Sequence, residues 1–145
     1  MKVLLQRVSH AKVEVAGNTV GAIDDGLLLL VGICQGDDEA TVERLAKKVL
    51  GYRVFSDDNG KMNLNVQQAQ GGLLIVSQFT LSADTRKGLR PSFSSSAPPE
   101  RAQQLFDCFV SCCRAQHDKV ATGQFGADMQ VHLVNDGPVT FLLEA

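Results

Sequence analysis

Leu27-Leu28-Leu29-Leu30-Val31-Gly32-Ile33 is the longest apolar run in the chain, and its reading sets the fold class. A strand with one wet face would alternate apolar and polar residues; a run without alternation predicts a strand covered on both faces, at the centre of a sheet. On its N-terminal side, Val3 and Leu5, then Val13 and Val15, alternate with polar neighbours. Gly17-Asn18 and Asp24-Asp25-Gly26 punctuate them, which predicts short strands joined as antiparallel hairpins. On its C-terminal side the period changes. Val42, Leu45, Ala46, Val49 and Leu50 recur at helical spacing after an acidic start at Asp37, and Gly51 is placed to end a helix lying on the sheet.

Further along, Tyr52–Ser56 reads as a strand, Asp57-Asp58-Asn59-Gly60 as a turn and Lys61–Asn65 as extended chain. After Gly71-Gly72, the β-rich run Leu73–Val76 delivers Ser77, Gln78, Phe79, Thr80 and Leu81 at or beyond its end, where polar groups are candidates for a site. Residues 82–97 form the longest stretch without periodicity, and loops of that length are commonly functional. Pro98-Pro99 opens a second helix with Ala102, Leu105, Phe106, Phe109, Val110 and Cys113 on one face. Met129, Val131 and Leu133, then Val139, Phe141 and Leu143, alternate on either side of Asp136-Gly137-Pro138, which predicts a terminal hairpin. The sum is a single α/β domain over 1–145, with a mostly antiparallel sheet and two main helices, lacking the regular alternation of a doubly wound fold.

The composition fits a packed globular domain: 145 residues, 44% hydrophobic and 21% charged. A net charge of -2 excludes a uniformly basic nucleic-acid binder, though not a local basic patch. Nothing approaches the roughly 20 apolar residues of a membrane span. No signal-peptide core can be built at the N-terminus, so a cytoplasmic location and no membrane partner are expected. Cys34, Cys108, Cys112 and Cys113 lack paired C-x-x-C spacing and read as reduced thiols. No cofactor and no metal are expected.

Familiar catalytic motifs are missing: no nucleophile elbow, no zinc-protease helix, no phosphate loop and no dinucleotide fingerprint occurs. His10, His117 and His132 are scattered and read as structural. Ser77 and Thr80 are either acyl-transfer nucleophiles in need of a base or hydroxyls that satisfy the backbone at a strand end. Gln78 is either a binding group or a solvated side chain. Arg86, Lys87 and Arg90 form either a solvated loop or an arm for phosphates.

Two separated segments, Ser77-Gln78-Phe79-Thr80 and Asn135-Asp136-Gly137-Pro138-Val139-Thr140, resemble the signatures of the D-aminoacyl-tRNA deacylases. Leu5-Gln6-Arg7-Val8, Gly51–Asp57, Lys61–Val66 and Arg90-Pro91-Ser92-Phe93 extend the likeness, in order, over essentially the whole chain. The resemblance implies a barrel-like sheet in a homodimer. It implies hydrolysis of the ester joining a D-amino acid, or glycine, to the terminal adenosine of tRNA. Partners would then be D-aminoacyl-tRNA and glycyl-tRNA, including glycine mischarged on tRNA(Ala).

By the same resemblance, Gly137-Pro138, with a cis bond, enters the partner subunit's site and excludes L side chains, while Arg7 holds that segment in place. The backbone N–H groups of Gln78 and Phe79 would form an oxyanion hole. The terminal 2′-hydroxyl would help activate water, with Ser77 orienting the site and Thr80 as the competing covalent nucleophile. Phe125 and Met129 would line the adenine pocket, although core packing is the alternative for Met129. Arg86, Lys87 and Arg90 would meet acceptor-stem phosphates. A non-catalytic nucleic-acid-binding module of the same fold and a small-molecule esterase are the competing functions.

Overall fold

The computed structural model describes residues 1–145 and opens with one strand where the sequence reads short ones: β1 runs unbroken from Lys2 to Val15. Its buried residues, Val3, Leu5, Val8, Ala11 and Val13, slip phase twice, which hides a continuous strand from a period-two reading. A two-residue turn at Ala16-Gly17, both at positive φ (50° and 80°), leads into β2, Asn18–Ile23. Primed turns of this kind match the twist of a hairpin. The chain then continues into β3, Gly26–Gly32. β2 pairs with Ala11–Val15 of β1 and β3 with Lys2–Val8, both antiparallel. Asp24-Asp25 is therefore a break within one long arm opposite β1, and not the turn of a second hairpin.

Helix α1, Glu39–Gly51, is capped by Asp38, whose carboxylate accepts the Thr41 N–H at 2.9 Å. A small ribbon follows, β4 (Phe55–Ser56) against β5 (Met62–Leu64). β6, Gly72–Ser77, lies parallel to β3. Helix α2, Pro99–Gln116, precedes β7, Val120–Thr122, which is parallel to β6. The sheet is thus mixed: β1 has antiparallel neighbours and β6 parallel ones, each parallel pair being joined through a helix.

The expected terminal hairpin does not form. β8 is a single strand, Gln130–Glu144, antiparallel to β1 from Glu14 back to Lys2. Between the pairs Val8–Asn135 and Gln6–Thr140, residues 136–139 of β8 stand opposite Arg7 alone. Asp136-Gly137-Pro138 is the tip of this wide bulge. An open edge running the length of β1 satisfies more backbone groups than folding back would, and that partner is invisible in the local sequence.

β2 leans over β7, and a Cβ on Gly21 would collide with the Thr122 carbonyl, so the sheet is nearly closed into a barrel. Alternate residues of β3 face two cores. Leu28 points into the barrel with Val8, Val13, Leu74 and Val76, whereas Leu27 and Leu29 meet helix residues such as Leu45, Val49, Leu105 and Phe109. Both faces of the decisive apolar run are covered. The four thiols are free, and burial pushes the Cys113 thiol up to about 12. No helix is long and apolar enough to cross a membrane.

Gly26 faces Gly72, paired across β3 and β6. A Cβ on Gly26 would stand 2.6 Å from the Gly72 nitrogen, with backbone on both sides of the clash. Gly26→Ala is expected to destabilise the fold by about 3 kcal/mol. Gly51→Ala, at a helix end with open space around it, is expected to be neutral or stabilising by up to about 1 kcal/mol. Urea unfolding of both variants checks the contrast, and equal midpoints would refute it.

Candidate active site

The apolar run of β6 ends at Ser77, but its ladder extends one residue further: the Gln78 N–H donates to the Val31 carbonyl at 2.8 Å. The chain then turns through a short 3-10 segment, Phe79–Ser82. Gly32 makes room for this turn, since a Cβ there would lie 2.9 Å from Leu81 Cβ and 3.1 Å from the Gln78 carbonyl oxygen. Buried Ser82 pins it from beneath. Its Oγ donates to the Phe79 carbonyl at 2.6 Å and lies 2.8 Å from Ser96 Oγ, while Ser95 Oγ donates to the Ser82 carbonyl.

At this turn two consecutive amides, those of Phe79 and Thr80, donate to no loop carbonyl and to no side chain. The resemblance pointed to Gln78 and Phe79 for this role. The structure commits the Gln78 amide to the sheet, so the free pair is displaced by one residue. Gln78 Nε2 donates to Thr80 Oγ1, and Phe79, 62% exposed, rests against Phe93 at 5.2 Å between ring centroids.

Beside the free amides lies a cleft of about 260 Å³, with Ser77 and Phe79 on its rim and Val31, Ala102, Phe106 and Phe125 among its walls. Phe106 and Phe125 meet at 5.8 Å. No histidine, aspartate or glutamate lines it. His117 Nε2 instead sits 2.7 Å from the Gly71 carbonyl oxygen, and His132 lies 3.7 Å from Glu14. Phe125 and Met129 part company: Met129 packs against the barrel core, fills the space above Gly123 and accepts the Gln124 N–H at 3.4 Å. It does not line the cleft.

The second segment is built differently. The Gly137-Pro138 bond is cis, and Gly137 has φ +129°, a backbone region that a side chain rarely enters. Arg7, the lone residue opposite the bulge, holds it. Arg7 Nε lies 3.2 Å from the Asp136 carbonyl oxygen and 3.3 Å from its Oδ2, while Nη1 donates to the Val54 carbonyl at 2.7 Å. Register places this segment away from the first. Ser77 is level with Val31 and Val3, and the bulge is level with Leu27 and Arg7. That offset is about 13 Å along the strands and about 14 Å across them, at ordinary strand spacings.

Arg86, Lys87 and Arg90 lie in the segment after the turn, which is braced by reciprocal backbone bonds between Asp84 and Ser92 of 2.7 and 3.0 Å. Arg86 is already paired: Nε and Nη2 reach the Asp84 carboxylate at 2.9 and 2.7 Å and hold its carboxyl well below the usual carboxylate range. Lys87 and Arg90 are exposed and without an ion-pair partner. The serines that shape the turn, Ser82, Ser95 and Ser96, escaped the reading of the sequence as site residues. A serine-rich stretch was their only signal.

The sequence profile described as D-Tyr-tRNA(Tyr) deacylase matches residues 4–144. The chain belongs to that family. It is, accordingly, an enzyme of the D-aminoacyl-tRNA deacylase type. A D-aminoacyl-tRNA deacylase of Saccharophagus degradans is 67% identical over 99% of both chains, and one of Ectopseudomonas mendocina is 65% identical with the same coverage. A solved structure described as c-Myc DNA Unwinding Element Binding Protein superimposes with a TM-score of 0.96 at 40% identity, covering 100% of this chain and 99% of its own. A probable eukaryotic D-amino acid tRNA deacylase, 15% identical with a TM-score of 0.84 over 98% and 97% of the two chains, shares the fold.

Proposed function

We propose that this chain, as one deacylase domain over residues 1–145, hydrolyses the ester of D-aminoacyl-tRNA and of glycyl-tRNA in the cytoplasm and rejects the L-aminoacyl ester. The observation that carries this reading is the pair of free amides at Phe79 and Thr80, with Phe79 lining an apolar, aromatic-walled cleft. Adenine in the cleft, against Phe125, brings the 3′-ester carbonyl to those amides. They stabilise the oxygen as it gains charge. Water attacks the carbonyl carbon, the C–O bond to the ribose breaks, and the ribose oxygen leaves with a proton. With no titratable side chain in the cleft, the neighbouring 2′-hydroxyl of the substrate relays the proton from water, and Ser77 Oγ helps to orient it.

Chirality is read by Gly137 and Pro138 of a second copy. Their carbonyls accept the α-ammonium, and the proline ring occupies the volume an L side chain needs. Two observations support a contribution from the partner. The segments are too far apart within one chain to meet on one α-carbon. In addition β8 has an unpaired outer edge with Val134, Phe141 and Leu142 exposed, a surface that a second copy can cover in a homodimer. Lys87 and Arg90 take acceptor-stem phosphates, with Arg86 joining only if it leaves Asp84.

The test is deacylation of D-tyrosyl-tRNA beside L-tyrosyl-tRNA by the wild type and by Pro138→Ala. The wild type is expected to release the D ester at least about 100-fold faster, and the variant to narrow that ratio. The 40% identity to a protein described as a DNA-element binder makes a nucleic-acid-binding module the second reading. Hydrolysis of neither ester would put it first.

A further inference from the structure

We infer that Asn135 is a positioning residue for chiral selection, closing the base of the Gly137-Pro138 bulge from the side that Arg7 does not reach. The inference rests on the reading that Gly137 and Pro138 contact the α-carbon of the substrate. Four residues bulging opposite one leave the ladder broken across 136–139, and the backbone groups there need other partners. Asn135 supplies them. Its Oδ1 accepts the N–H of Val139 at 3.2 Å, bridging from the first flank of the bulge to the last residue within it. Its Nδ2 donates to Thr140 Oγ1 at 3.0 Å, and Gln6 Nε2 of β1 reaches the same hydroxyl at 3.3 Å. Asn135 thus ties both flanks of the bulge, and the Thr140 hydroxyl it meets is shared with the opposing strand.

The division of labour is geometric. Arg7 grips the ascending limb, at Asp136, and Asn135 grips the descending limb, at Val139 and Thr140. Val139 is 7% exposed, so its side chain anchors that limb in the core while its amide depends on Asn135. Release of the descending limb lets the proline ring shift, and a ring that shifts no longer fills the L volume. A side chain whose only role was global stability would weaken both esters' hydrolysis together.

The experiment compares wild type, Asn135→Ala and Asn135→Asp on D- and L-tyrosyl-tRNA, with hydrogen exchange measured at the Val139 amide. Asn135→Ala is expected to lower the D-to-L ratio of kcat/KM at least about tenfold, through a rise on the L ester, and to speed Val139 exchange by a similar factor. Asn135→Asp keeps the acceptor for Val139 and is expected to hold both readouts within about threefold of wild type. An unchanged ratio in Asn135→Ala, or an equal fall on both esters, would overturn the proposal. If the alanine variant does not fold, loss of selectivity in Asn135→Asp with Val139 still protected overturns it as well. A wild type that hydrolyses both esters alike defeats the chirality reading itself, and exchange at Val139 then decides the Asn135 contact alone.

Discussion

A tRNA carrying D-tyrosine on the 3′ oxygen of a terminal 2′-deoxyadenosine is expected to be hydrolysed at least about 100-fold more slowly than its ribose counterpart, while Thr80→Val keeps the rate on the normal substrate within about fivefold. The expectation comes from what surrounds Thr80. Its hydroxyl is engaged by the Gln78 amide group, and no histidine or carboxylate lines the cleft beside it. A hydroxyl with no base to take its proton is a poor nucleophile at neutral pH. In the proposed mechanism the reaction uses the amide N–H of Thr80, which the valine variant retains. Full activity on the deoxy substrate together with an inactive Thr80→Val would reverse the assignment and make Thr80 a covalent nucleophile.

Gly137→Ala is expected to cut the ratio of D- to L-tyrosyl-tRNA hydrolysis by about two orders of magnitude, in keeping with a loss of steric exclusion. A side chain at φ +129° is strained whatever surrounds it, and here the new Cβ would also lie 2.8 Å from Val139 Cγ2 and 3.2 Å from Arg7 Nη2. Neither neighbour yields freely, because Val139 is buried and Arg7 is tied to Asp136 and Val54. The tip must therefore rotate, at a cost of about 1–3 kcal/mol in stability. Gly60→Ala is the control: it introduces a positive-φ alanine, at φ +73°, in open space far in sequence from both segments. Equal D-to-L ratios in the two variants would remove Gly137 from the selective contact.

The elements that the sequence foretold are those whose burial is written into their own periodicity. Leu27–Val31 predicts a strand covered on both faces, and the helical spacing of Val42–Leu50 and Leu105–Cys113 marks the two helices that cover one of them. β6 delivers Ser77–Thr80 at or beyond its end, as its composition predicts. What escaped depended on distant partners. Asp-Gly-Pro serves a hairpin turn and a bulge tip equally well, and only the free edge of β1 decides between them. The bond from Gln78 to Val31 decides which amides remain free, and no local pattern records it. Arg86 looked like one of three equivalent cations until the fold of the loop brought Asp84 onto it. Phe125 and Met129, four positions apart, face different cores because the intervening chain is irregular.

The long pairing of β1 with β8 also bears on how the chain comes to be folded. β1 has its second edge filled only by β8, the strand farthest from it along the chain, with Met1 and Ala145 themselves joined by hydrogen bonds at the rim. Contacts so distant along the chain slow folding, because a large loop must close before they form. During translation the hairpin of β1 with β2 and β3 can assemble early, yet one flank of β1 stays bare until β8 clears the ribosome. An uncovered strand edge is a template for pairing with another chain. Nascent copies on one message are therefore exposed to one another through the same strand, and occupation of β1 by a neighbour's β8 would be a swapped dimer reached before either chain was finished.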